Sequence, residues 1–248
     1  MKIMEVGFPK KCFITYSHKD QDALELLKKK LRNRGVESQS YPPIKVPPEK
    51  FRSNPYIETI LRYPALIYIK GGHSNLSFWV AFARDFALRA GKLVFSFDPV
   101  TLKIEKSRLK QLQLPVHANY IEKDTRRLRD IFNHMEKRFI DLFAWQKSHN
   151  PTGYVNPESI VTSVSNGGYS VIFLTSKTVK SKTMNSEIKY ALDTHPERIL
   201  IALLDDIKKK DIAGFTERTR CIKLTEKQRW DDLIVNLYWT IFHPSYEL

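Results

Sequence analysis

Two apolar runs, Ala65 to Ile69 and Leu93 to Phe97, are joined by a segment that has room for one helix and little else, Ser74 to Lys92. Gly71-Gly72 follows the first run and Asp98-Pro99 the second, so each is punctuated as a strand. This is a βαβ unit, and its right-handed crossover commits the chain to a parallel sheet. The loop after the first strand, and the helix it feeds, then lie at the carboxyl edge, where open α/β folds bind ligands. Trp79 opens that helix and is expected to face a cleft.

About a hundred residues later the pattern returns. Asn156-Pro157 echoes Asn54-Pro55, Val171 to Leu174 echoes Leu66 to Ile69, Tyr190-Ala191-Leu192 echoes Phe86-Ala87-Leu88, and Ile199 to Ile201 echoes Val94-Phe95. The chain therefore holds two related βαβ units. Four residues before Ala191 stands Glu187, whereas the matching residue before Ala87 is Ala83. Position 83 follows Trp79 by one helical turn, so an acid there would point towards whatever the indole touches.

Composition bounds the rest. A chain of 248 residues, 42% hydrophobic and 12% aromatic, can bury a full core as one large domain or two small ones. No apolar run approaches the roughly 20 residues of a membrane-spanning helix, and no signal-peptide core follows Lys2, so a cytoplasmic location is expected. Cys12 and Cys221 lack Cys or His at metal spacing and read as buried thiols, with no metal site and no resident cofactor. The net charge of +14 is concentrated in residues 1–150, with 28 Lys and Arg against 15 Asp and Glu. Such a field gathers anions without choosing among a nucleotide, a nucleic acid and an acidic partner.

Taken in order, Lys11 to Tyr16 reads as a strand running into Ser17 and Asp20, which could cap the amphipathic helix of Leu24, Leu27 and Leu31 closed by Gly35. Val36 to Tyr41 reads as a second strand. The proline-rich Pro42 to Arg52 is then a loop from which Phe51 and Arg52 could cover a ligand or merely anchor the loop. Thr101 to Leu114 reads as a solvated basic face. His117 to Ile121 is expected to be the last strand of the first domain, and Asp124 to about Trp145 its closing helix. These boundaries give domains at 8–146 and 153–248, with a linker at Lys147 to Thr152. The second then holds helices near Pro157 to Val164, Met184 to Leu192 and Glu226 to Phe242, with strands at Val171, Arg198 and Thr219, and lacks an opening strand, helix and second strand.

Phe13-Ile14-Thr15-Tyr16-Ser17 at the end of a first strand, then Ser77-x-Trp79 and Ala87-Leu88-x-x-Gly91-Lys92 ahead of an apolar strand, resembles a bacterial TIR (Toll/interleukin-1 receptor) domain. The resemblance covers roughly residues 8–146, with a partial echo from 153 to 248. It implies an α/β fold of three layers, a flavodoxin-like sheet of five parallel strands with helices on both faces, plus a second, truncated TIR-like domain. It also implies cleavage of NAD at the nicotinamide-ribose bond, NAD being a substrate rather than a cofactor. The family's catalytic Glu falls at Ala83, so the chain as it stands is expected to be silent there, whether that acid was replaced or lost naturally. Trp79, with Tyr16, Ser17 and His18 from the first loop, Ser77, and Phe51 with Arg52, is expected to line the substrate pocket. Glu187 matches the family's acid in position but has Thr183 where the Trp would be and no opening strand to build the other wall, so it is expected to be a solvent-facing or domain-interface carboxylate rather than the catalytic acid.

By the same resemblance, products would be ADP-ribose or a cyclic isomer, and the setting antiphage defence, with self-association or a partner defence protein. A scaffold without chemistry is the competing reading. Nucleic-acid binding ranks lower, because no aromatic-interleaved basic sheet face or recognised motif accompanies the charge.

Overall fold

The computed structural model describes residues 8–42, 44–110, 116–140, 143–144, 168–226 and 229–242. The expected linker, the helix near Pro157 and the Asn156-Pro157 echo lie outside them. The chain is α/β with two five-stranded, mostly parallel sheets, and it divides into two units at residue 112. Residues 51–53 group with the second unit.

In the first unit β1 (Lys11–Thr15), β2 (Glu37–Ser40), β3 (Ala65–Ile69), β4 (Leu93–Asp98) and β5 (Lys103–Lys106) stand in the order β2-β1-β3-β4-β5. The first four are parallel, and β5 returns antiparallel along β4. Strand β3 is buried at every position, as expected of a strand covered on both faces. Alternate residues serve opposite faces. Cys12, Ile14, Ile67 and Ile69 pack with Leu24, Leu27 and Leu31 of α1 (Gln21–Arg32). Phe13 instead meets Tyr56 of α2 (Asn54–Arg62), which stacks on Phe82 of α3 (Phe78–Arg89). Gly35, at φ +69°, ends α1 in a left-handed conformation that costs glycine nothing.

The expected solvated face from Thr101 contains β5. Only Ile104 of this strand is buried, so the charged alternation that reads as a surface is that of an edge strand. Asp98 shapes the preceding turn by accepting from the N–H groups of Val100 at 2.9 Å and Thr101 at 3.2 Å. The five-parallel-strand expectation is corrected here to four parallel strands and an antiparallel edge.

The larger correction concerns the second unit. Strand β6 (Val116–Asn119), expected to end the first sheet, pairs in parallel with β8 (Tyr169–Leu174), and β7 (Phe143–Ala144) pairs with β6 on its other side. With β9 (Ile199–Leu203) and β10 (Arg220–Lys223) the order is β10-β9-β8-β6-β7, parallel throughout. Counted within the unit, this is the 2-1-3-4-5 arrangement of the first sheet. The opening strand, helix and second strand that the second unit was expected to lack are β6, α4 (Thr125–Lys137) and β7.

The register makes the duplication explicit. Phe13 pairs with Leu66, and 104 residues on His117 pairs with Ser170; Ile14 with Ile67 is matched by Ala118 with Val171. Buried Leu24, Leu27 and Leu31 recur as Leu128, Ile131 and Met135. Divided at residue 112, the first unit carries 21 Lys and Arg against 10 Asp and Glu, and the second 20 against 17, so the basic excess belongs to the first.

Helix α4 stops at Lys137 rather than near Trp145 because the chain turns at Phe139, whose φ of +63° reproduces that of Gly35 one repeat earlier. A half-exposed aromatic in this conformation is strained. Phe139→Gly is expected to stabilise the protein by about 0.5–1 kcal/mol, read as a higher urea midpoint at unchanged slope.

In the second unit α4 sets Phe132 against Phe173 on one face of the sheet. On the other face α5 (Lys182–Thr194) packs Met184, Ile188 and Leu192 against Ile172, Leu174 and Ile201. Helix α6 (Trp230–Phe242) ends the described chain. No helix among the described residues is long and apolar enough to cross a membrane.

Candidate functional site

At the carboxyl edge of the first sheet, the end of β1, the start of the proline loop and two helices border a small cavity that opens to solvent. Its walls are Phe13 to Tyr16, Tyr41, Pro42, Ile44, Tyr56 and Trp79. Tyr41 meets Tyr56 edge-on at 5.0 Å and 72°, and Tyr56 meets Trp79 at 5.9 Å and 87°, so three rings stand at near right angles. The Tyr56 hydroxyl donates to the Trp79 carbonyl at 3.4 Å and lies 3.3 Å from Thr15 Oγ1. Burial raises the Tyr56 phenol well above the ordinary tyrosine range, and raises that of Tyr16, where the charge of Glu25 adds to the effect. Among the described residues the lining carries no charged side chain. Such a space is far smaller than a dinucleotide needs.

Of the residues expected to line a pocket, Tyr16 and Trp79 do so together. Ser17 and Ser77 are buried beside the loops and His18 is partly exposed, all three outside the lining. Phe51 and Arg52 do not cover the cavity, and Arg52 pairs with Glu226 at 3.6 Å in the second unit. Ala83 is fully buried and absent from the lining. It shares a helix face with Trp79, but the cavity lies at the start of α3, and four residues further on the chain is about 6 Å deeper beside the sheet. Tyr41 and Tyr56 went unrecognised in the sequence. Their signals were position alone, one at the end of a strand before two prolines, the other just inside a helix opened by Asn54-Pro55.

The two loops at the switch in strand order are clasped in each unit by one acid. Asp20 was expected to cap α1, yet its carboxylate accepts from Ser74 N at 2.7 Å and Ser74 Oγ at 2.5 Å, and Ser74 Oγ in turn accepts from Ser17 N at 3.0 Å. Asp124, 104 residues later, accepts from Thr175 Oγ1 at 2.9 Å, and Thr175 exchanges hydrogen bonds with Thr178.

Glu187 occupies in α5 the place of Ala83 in α3, counted from Ser77 and Ser181, which both stand at the N-cap. Both of its carboxylate oxygens are buried without a hydrogen-bond partner among the described residues, and desolvation pushes its pKa up to about 7. A buried carboxylate without a hydrogen-bond partner is costly to the folded state. No group of three or more His, Cys, Asp or Glu among the described residues is placed to hold a metal ion.

No family model and no curated protein matches this chain. Among solved structures it is similar to Dph2 from Pyrococcus horikoshii with a 4Fe-4S cluster, at 11% identity and a TM-score of 0.28, over 92% of this chain and 58% of that one. A likeness at that level carries no argument about fold or chemistry.

Proposed function

We propose that this chain is a tandem TIR-like protein, each unit flavodoxin-like in strand order, that cleaves the nicotinamide-ribose bond of NAD with Glu187 as its acid. The observation that supports this most is the carboxylate of Glu187, buried and unpartnered among the described residues, in a unit whose sheet has five parallel strands. Breaking the N-glycosidic bond releases neutral nicotinamide with the bonding electron pair and leaves positive charge on the ribose. An ionised carboxylate beside that ribose stabilises the charge as it develops. Attack by water gives ADP-ribose, and attack by a group within the same molecule gives a cyclic isomer. A role in antiphage defence follows from the resemblance alone.

In this reading the first unit breaks nothing, since no carboxylate among the described residues lines its cavity. The test is mass spectrometry of NAD incubated with the native chain, Glu187→Gln and Ala83→Glu. Nicotinamide release by the native chain that disappears in Glu187→Gln is expected. Release only after Ala83→Glu would place the chemistry in the first unit, and release by none of the three would leave a scaffold.

A further inference from the structure

The second unit carries, at the carboxyl edge of its sheet, a polar arrangement that plays no part in the nicotinamide-ribose chemistry. Strand order switches between β6 and β8, so the loops leaving them flank a crevice of the kind in which α/β sheets take ligands. Arg127, in the first turn of α4, reaches to the loop after β9. One terminal nitrogen of its guanidinium donates to Asp205 Oδ1 at 2.6 Å, and the other donates to the carbonyl oxygen of Leu204. The second oxygen of Asp205 accepts from Ser176 N at 2.7 Å, in the loop after β8.

A guanidinium and a backbone N–H closing on one anionic group at this edge is the coordination that a phosphate oxygen would receive there. Partial burial raises the Asp205 pKa, but the Ser176 and Arg127 contacts outweigh it and hold the carboxyl below the ordinary range. The fold does not require this strap. In the first unit the loop after β4 closes on itself through Asp98, and the residue 104 positions before Arg127 is Ala23. The Arg127 and Asp205 side chains are 48% and 29% exposed, so an anion from solvent can reach both. Lys177, Lys208 and Lys209, all exposed, add positive charge along the same loops.

We propose that Asp205 is an internal stand-in for a ligand of the phosphate class, and that Arg127 with the Ser176 N–H forms a binding site for such an anion. The ligand takes both donors as the Asp205 carboxylate turns out to solvent. The site is therefore self-blocked, and its apparent affinity is lowered by the fraction of time the carboxylate occupies it, about tenfold or more.

Calorimetric titration of the full chain with inorganic pyrophosphate tests this, with ADP as a parallel arm. Asp205→Ala is expected to bind pyrophosphate at least tenfold more tightly than the native chain, and Arg127→Gln in that background to abolish the gain. Asp206→Ala removes the same charge from the neighbouring pair with Lys223 and is expected to leave the native affinity unchanged. Equal binding of pyrophosphate and ADP identifies a free anion as the ligand, and tighter binding of ADP a nucleotide. If Asp205→Ala melts too early to titrate, Asp205→Asn, which keeps an acceptor for Ser176, is measured in its place. The proposal is overturned by no gain in either Asp205 variant, by an equal gain in Asp206→Ala, or by a gain that survives Arg127→Gln.

Discussion

Asp231→Ala is expected to destabilise the second unit by about 3–5 kcal/mol, the range for stranding one side of a buried ion pair. Asp231 is 1% exposed near the start of α6. Its Oδ1 lies 2.7 Å from His134 Nε2 and accepts from Arg138 Nε at 3.1 Å, while Oδ2 accepts from another nitrogen of the Arg138 guanidinium at 3.3 Å. Both partners come from the last turn of α4 and its C-cap, so one carboxylate joins two helices. Without it the guanidinium, only 16% exposed, keeps its charge and loses this carboxylate. Domains hold about 5–15 kcal/mol in all, so the loss is a large share. Urea unfolding followed by tryptophan fluorescence is the measurement, since Trp230 lies edge-on to His134 with ring centroids 5.5 Å apart. Asp206→Ala, which breaks an exposed pair, is expected to leave the urea midpoint almost unchanged. A similar loss from the two variants would mean that burial of the Asp231 pair has been misjudged.

Glu187→Gln is expected to do the opposite to stability and, on the proposed function, to cut turnover several-hundredfold. Loss of a carboxylate that stabilises a developing cation costs about 3–4 kcal/mol of barrier, a factor of hundreds in kcat. The same exchange removes a buried group that prefers to be neutral. The folded pKa of about 7 stands above the ordinary 4.5, so the folded state holds a proton that the unfolded state has released. Stability from this group is accordingly intact below pH 4.5, falls as pH rises from 4.5 towards 7, and stays low above it. After allowance for solvent near a partly exposed side chain, the fall amounts to about 1–2 kcal/mol. Glu187→Gln should flatten that slope and raise the urea midpoint at pH 8. Turnover by the native chain should rise through pH 7, as the ionised fraction grows. Turnover lost together with stability would instead describe a carboxylate needed for folding.

The elements were largely legible in the residues. Ala65–Ile69 is a strand to the residue, the helix opened at Trp79 begins at Phe78, and the carboxylate at position 187 against alanine at 83 could be read from the repeat. The clasp by Asp20 was not legible, because a helix cap and a cross-loop hydrogen bond ask for the same residue at the same place. Nor were Tyr41 and Tyr56, which contribute to a cavity only because the ends of β1 and β2 lie beside α2. The strap of Arg127 and Asp205 joins residues 78 apart in sequence, with nothing local to either to announce the other.

By itself the sequence determined where strands and helices form and that the chain repeats, since periodicity and turn residues act within a few positions. Only the tertiary structure decided that β6, α4 and β7 open the second sheet instead of ending the first. An apolar strand carries the same alternation whichever neighbour it joins, and its choice is made by backbone hydrogen bonds and by the faces it buries against chain more than fifty residues away.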